Sequence, residues 1–248
     1  MRSDIKINRL YEENYNYQNS LMKIIKYNNA NDITIEFQDE NKFRKNTTYQ
    51  MFENGSIKNV YIKEIYGVGC FGDTKIKNKK SYDTWKHMLC RCYENSKKNQ
   101  TYFDVSVCDE WLCYANLEKW YDENYYDIDN EIMDLDKDIL VKGNKIYSPN
   151  NCIFAPHRIN SLFLKKDKKR KNCLLGVSYD VKTNKYKSQL NHNGKKISLG
   201  YFNNKIEAFY AYKNAKENYI KQVADEYKDK IPKKLYNAMY KWEIGVND

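Results

Sequence analysis

The stretch "LLGVSYDVKTNKYKSQLNHNGKKISLGYF", residues 174–202, decides how the chain is read. Two turn dipeptides, Thr183-Asn184 and Asn193-Gly194, cut it into three short segments rich in β-branched and aromatic residues. Asn and Gly tolerate the positive φ of a tight hairpin turn, so the segments read as three consecutive antiparallel strands. "NKIEAFYAYKNAKENYIKQVADEY", residues 204–227, comes next as one long helix with Ala208, Ala211, Tyr212 and Ala215 along a face. Small residues there let the helix lie close against the sheet. The other sheet face stays open, and it is polar and basic.

Upstream lies "LDKDILVKGNKIYSPNNCIFAPHRIN", residues 135–160. It runs from an acidic strand end at Asp136 and Asp138 through a Gly143-Asn144 turn and a Ser148-Pro149 break. It returns along "NNCIF" into a short helix ending at Asn160. Ahead of it, "SYDTWKHMLCRCYE" spaces Tyr82, Trp85, Leu89 and Cys92 as one face of an amphipathic helix. "YFDVSVC" reads as a strand. "DEWLCYANLEKWYDENYY" reads as a second helix capped by Asp109, burying Trp111 and Trp120. Near the N-terminus, "SLMKIIKYNN" and "DITIEFQD" form a hairpin, and "TTYQMFENGSIKNVY" is expected as another strand pair around Asn54-Gly55.

The expected architecture is therefore α+β and multidomain. A small β-rich, barrel-like or curled module occupies 1–73. A strand–strand–helix finger with flanking helices occupies 79–164. A basic linker, "LKKDKKRKN", spans 165–172; a run of like charge cannot bury itself. A three-stranded antiparallel sheet packed on one helix occupies 173–230, and 231–248 is expected as a tail.

Lys and Arg number 43 against 33 Asp and Glu, a formal net charge of +10. That balance favours an anionic partner, of which nucleic acid is the commonest. Frequent Lys, Asn, Tyr and Ile also fit an AT-rich coding genome, which accounts for part of the basic excess. No apolar run approaches a membrane span, and "MRSDIKINRLYEEN" has no apolar stretch of the signal-peptide kind. A soluble, cytoplasmic protein with no membrane partner is expected. Seven cysteines in such a chain read as reduced thiols. Cys90, Cys92, Cys108, Cys113 and Cys152 crowd the middle segment, but "CRC" is too tight for a zinc knuckle and "CDEWLC" has no matching second one. Buried free thiols are the expectation, and zinc is not.

Two resemblances emerge from these residues. Residues 174–219, through Gly176-Val177, "YKSQL", "KKISLGYF" and the alanine-rich helix, resemble the DNA-binding domain of plant ethylene-response factors, which also occurs in phage and mobile-element endonucleases. The resemblance implies a sheet lying in the major groove of double-stranded DNA. Strand alternation then turns Tyr186, Ser188 and Leu190 toward the helix and leaves Lys187, Gln189 and Asn191 for DNA. Lys196 and Ser198 take the matching places on the third strand. Lys168, Lys169 and Arg170 of the linker are expected to track phosphate. Ser178 and Asp180 stand where the plant proteins have arginines, so the plant sequence preference does not transfer.

Residues 82–163 resemble the HNH, or His-Me finger, endonucleases of phages, whose ββα-metal fold clasps one divalent ion. The resemblance implies Asp136 and Asn160 as metal ligands, Asn151 as the residue that positions the general base, and magnesium as the ion. Lys137 falls where the general-base His belongs. Lysine starts near about 10.4 and is a poor base beside two aspartates. His157, one helical turn before Asn160, is the nearby substitute. Three readings stay open: a metal-dependent DNA endonuclease of a phage or mobile element; an inactive nuclease fold that binds DNA as a regulator or anti-defence protein; and an interaction protein that inhibits a host defence nuclease.

Overall fold

The computed structural model describes residues 9–94, 104–164 and 173–248. The basic linker, with Lys168, Lys169 and Arg170, lies outside them. The fold mixes helix and sheet. Six α-helices accompany a four-stranded and a three-stranded antiparallel sheet among the described residues. The chain divides into two compact units, Met1–Glu123 and Asn124–Asp248. This boundary falls inside the 79–164 stretch read from the sequence as one segment.

The first unit opens with β1 (Glu13–Tyr15), β2 (Leu21–Asn29), β3 (Asp32–Phe37) and β4 (Arg44–Thr47), paired in chain order as an antiparallel meander. Ile24 sits opposite Ile35 and Met22 opposite Phe37, all four fully buried. Burying each such side chain contributes about 1.5–3 kcal/mol. The stretch around Asn54-Gly55 differs from expectation. It is not a strand pair but a short helix, α1 (Tyr49–Glu53). Thr48 caps it by accepting from the Met51 amide at 3.3 Å, and Phe52 plugs the sheet core. Gly55, at φ 62°, ends it, where an added Cβ would lie 2.7 Å from the Tyr15 carbonyl oxygen.

Helix α2 (Lys79–Tyr93) is capped by Asn78, which accepts from the Lys80 amide at 2.8 Å. Its buried face carries Trp85 and Leu89, as the spacing required. The short strand β5 (Ser106–Val107) comes after it. Asp109 opens only a 3-10 turn through Leu112, and the helix proper, α3 (Tyr114–Asn124), starts five residues later than expected. Trp111 is nonetheless fully buried, and its carbonyl accepts the Trp85 indole N–H at 2.8 Å.

The second unit contains β6 (Met133–Asp136), the two-residue strand β7 (Ile146–Tyr147), β8 (Ile153–Pro156) and α4 (His157–Asn160). β6 and β8 pair antiparallel, Asp134 opposite Ala155 and Asp136 opposite Ile153. Next come β9 (Val177–Asp180), β10 (Lys185–His192) and β11 (Lys195–Phe202), ordered β11-β10-β9, with α5 (Lys205–Glu226) across one face. Asn184, Asn193 and Gly194 take positive φ at the two turns. Gly176, at φ 73°, lies so close to Tyr212 that a Cβ there would fall 2.0 Å from the ring.

Two features of this unit were not expected. The ββα segment and the sheet-helix module share one core, in which Ile153, Ala155 and Ile159 join Val177, Leu190, Ala208 and Phe209. The stretch 231–248, read as a tail, carries α6 (Lys233–Tyr240) and buries Leu235, Met239 and Ile244 in that core. No helix among the described residues is long and apolar enough to cross a membrane.

Candidate nucleic-acid interface

The open face of the three-stranded sheet is built by register. Ser188 and Leu190 point under α5 and are 0% and 5% exposed. Alternation therefore turns Lys187, Gln189 and Asn191 to the opposite face. Across the ladder, Gln189 faces Ser198 and Asn191 faces Lys196. The five expected side chains thus come together on one surface. None of the five has a side-chain hydrogen bond or ion pair among the described residues, so their donors and acceptors are free for an external partner.

Sequence alternation missed one member. The register slips between Ser188 and Gln189, leaving Leu199 without an opposite residue. A bulge reverses the facing of the residues beyond it. Gly200 therefore lies opposite Ser188 and Tyr201 opposite Lys187, on the open face. Tyr201 is 45% exposed, and Lys187 Nζ stands 5.7 Å from its ring centroid. Gly200 at φ 125° permits the kink, and that glycine was the only signal in the sequence.

The ββα segment treats its polar residues differently. Lys137 is 7% exposed. Its ammonium donates to Asp138 Oδ2 at 2.8 Å and to the Asn144 carbonyl at 2.9 Å. Asn144 in turn donates through Nδ2 to the carbonyls of Lys137 and Ile146, at 3.0 and 2.7 Å. Asn151 Nδ2 donates to Asn144 Oδ1 at 3.2 Å. Asn151 thus meets the turn residue Asn144, with no side-chain hydrogen bond to Lys137 or His157 among the described residues. Asp136 Oδ1 accepts the Asp138 and Ile139 amides, each at 2.7 Å. Burial pushes its carboxyl above the usual range despite those two amides.

The outer end of the same strand is arranged otherwise. Asp134, two residues before Asp136, was not singled out from the sequence. Its Oδ2 meets His157 Nδ1 at 2.7 Å and accepts from Asn160 Nδ2 at 3.0 Å. The two helical candidates therefore converge on Asp134, and neither hydrogen-bonds Asp136. Asn160 Oδ1 is buried without a partner. A carboxylate and an amide oxygen would suit part of the shell of a hard divalent ion. Among the described residues, no group of three or more His, Cys, Asp or Glu is arranged to hold a metal. None of the seven cysteines is in a disulfide; Cys152 is buried as expected, whereas the other six are only half-buried.

No family model, no curated protein and no solved structure matches the chain.

Proposed function

We propose that the protein binds double-stranded DNA through the open face of the β9–β11 sheet, on a nuclease-type finger whose expected general-base position has become structural. The observation that carries this is the convergence of Lys187, Gln189, Asn191, Lys196 and Ser198 on one face, without a side-chain hydrogen bond or ion pair among the described residues, above a buried Ser188 and Leu190. Gln and Asn can pair bidentately with adenine, and Lys reaches guanine or phosphate. Tyr201 adds a flat apolar surface beside Lys187. The net charge of +10 supports the same partner. Gel shifts of the full chain on duplex DNA test the reading. Binding should weaken steeply with added salt as condensed counterions are released. Absent binding at low salt, or binding indifferent to salt, overturns it.

A second reading, DNA cleavage, is favoured by one observation: the unpartnered Asn160 Oδ1 beside Asp134 and His157. Magnesium bound there would supply charge stabilisation at a scissile phosphate. Asp134 and Asn160 would hold the ion, and His157, whose side chain is 62% exposed, would take a proton. Nicking of supercoiled plasmid in magnesium that survives in Asp136→Asn and disappears in Asp134→Ala supports this second role. No nicking by the wild-type chain leaves binding as the whole function.

A further inference from the structure

The second unit carries an open-mouthed pocket of about 570 Å³ whose rim reaches the sheet at Asn191, Asn193 and Gly194. Leu190, Tyr212 and Tyr219 form part of its wall, and the Phe163 and Trp242 rings, 4.5 Å apart between centroids, form another. Three cations also line it: Lys142, Arg158 and Lys216. Two of them are balanced. Lys142 binds Asp248 and donates to the Glu243 carbonyl at 2.7 Å, and Arg158 pairs with Glu226 at 2.7 Å.

Lys216 is not balanced. It comes four residues after Tyr212 and three before Tyr219, so α5 turns all three toward the cavity. Its ammonium has no hydrogen bond or ion pair among the described residues; its one neighbour of note is the Tyr219 ring, 5.9 Å away. Burial alone pushes its pKa down to about 8. A charge left uncompensated at an apolar wall is costly unless a ligand pairs with it.

We propose that this cavity binds a small amphipathic anion: an apolar, ring-bearing body seated against Phe163, Trp242 and Tyr212, with one carboxylate, sulfonate or phosphate on Lys216. The volume lies within the ordinary range for small-molecule sites, and a largely apolar lining with a few placed polar groups is their usual composition. Two of the three cations are already neutralised, which selects a single negative charge rather than a polyphosphate. The proposal does not depend on DNA binding.

Anilinonaphthalene sulfonate, an aromatic anion whose fluorescence rises out of water, is a suitable probe for titration into the full chain. Saturable one-to-one binding is expected. Lys216→Met should weaken it at least about tenfold, as loss of a charged hydrogen bond does, while Lys216→Arg stays within about threefold. Melting curves of both variants should match or exceed wild type, since the mutated position has no internal partner to lose. Absence of saturable one-to-one binding overturns the proposal. So does unchanged affinity in Lys216→Met, or a loss in Lys216→Arg as large as that in Lys216→Met.

Discussion

The hairpin at residues 136–151 and the open face of the β9–β11 sheet are both rich in Lys, Asn and acidic or amide groups, yet they use them in opposite ways. In the hairpin, Lys137, Asn144, Asn151 and Asp136 satisfy one another or the local backbone, and Lys137 is 7% exposed. On the sheet, Lys187, Gln189, Asn191, Lys196 and Ser198 satisfy nothing inside the described chain. Polar side chains bonded within the chain hold structure, while free ones are available for recognition. Residue type alone would have assigned the two regions the same role.

Mutations separate the two roles. The largest effect should come from Asn144→Ala, which removes two donors to backbone carbonyls and the acceptor for Asn151. Urea unfolding should show a loss of about 2–3 kcal/mol. A loss under about 0.5 kcal/mol, the usual surface value, would mean that the hairpin network is not structural. Lys216, half-buried and without a hydrogen bond or ion pair among the described residues, belongs to neither class. Its folded pKa of about 8 lies below its ordinary 10.5, so the unfolded chain holds that proton more tightly across the interval. Stability should therefore rise as pH climbs from 8 to 10.5, by on the order of 1–3 kcal/mol. The Lys216→Met variant should lack that increment when compared with wild type by denaturant unfolding at each pH.

Smaller effects should come from the sheet, and on binding alone. Lys187→Ala should lower affinity for all duplexes alike and reduce the slope of log affinity against log salt by about one. Its unfolding midpoint should not move, because the side chain has no hydrogen bond or ion pair among the described residues and meets the Tyr201 ring at 5.7 Å. A shifted midpoint would place Lys187 with the hairpin residues. Smallest of all, His157→Ala should change stability by less than about 0.5 kcal/mol, since the imidazole is exposed and its partner Asp134 keeps Asn160.

Much of this was readable in the sequence. The Asn193-Gly194 turn, the alternation through Ser188 and Leu190, the alanine-lined helix and the strand that ends at Asp136 are all local signals, and each is observed. What escaped depends on distant or one-residue events. The bulge at Ser188/Gln189 inserts one residue and carries Tyr201 to the open face, which alternation counted from Ser198 cannot foresee. Asp134 and Asp136 share a strand face and look equivalent. Only the position of α4 joins Asp134 to His157 and Asn160, while the turn after β6 gives Asp136 two amides. The region around Asn54-Gly55 carries a hairpin dipeptide, but the Thr48 cap and the burial of Phe52 favour a helix. Residues 231–248 are polar on average and gave no tail-versus-helix signal apart from the spacing of Leu235 and Met239, which the core of the second unit uses.

On the proposed function, the open-face side chains of the sheet read DNA sequence. Selection from a random duplex pool tests it most directly, with the wild-type full chain and the Gln189→Ala/Asn191→Ala variant run in parallel at the same salt. Base contacts specify while phosphate contacts position, so the variant should keep most of its total affinity. It should lose about 1–3 kcal/mol of discrimination at the positions those two residues contact, and a changed or flattened motif should emerge. The same motif recovered from both proteins would contradict the account.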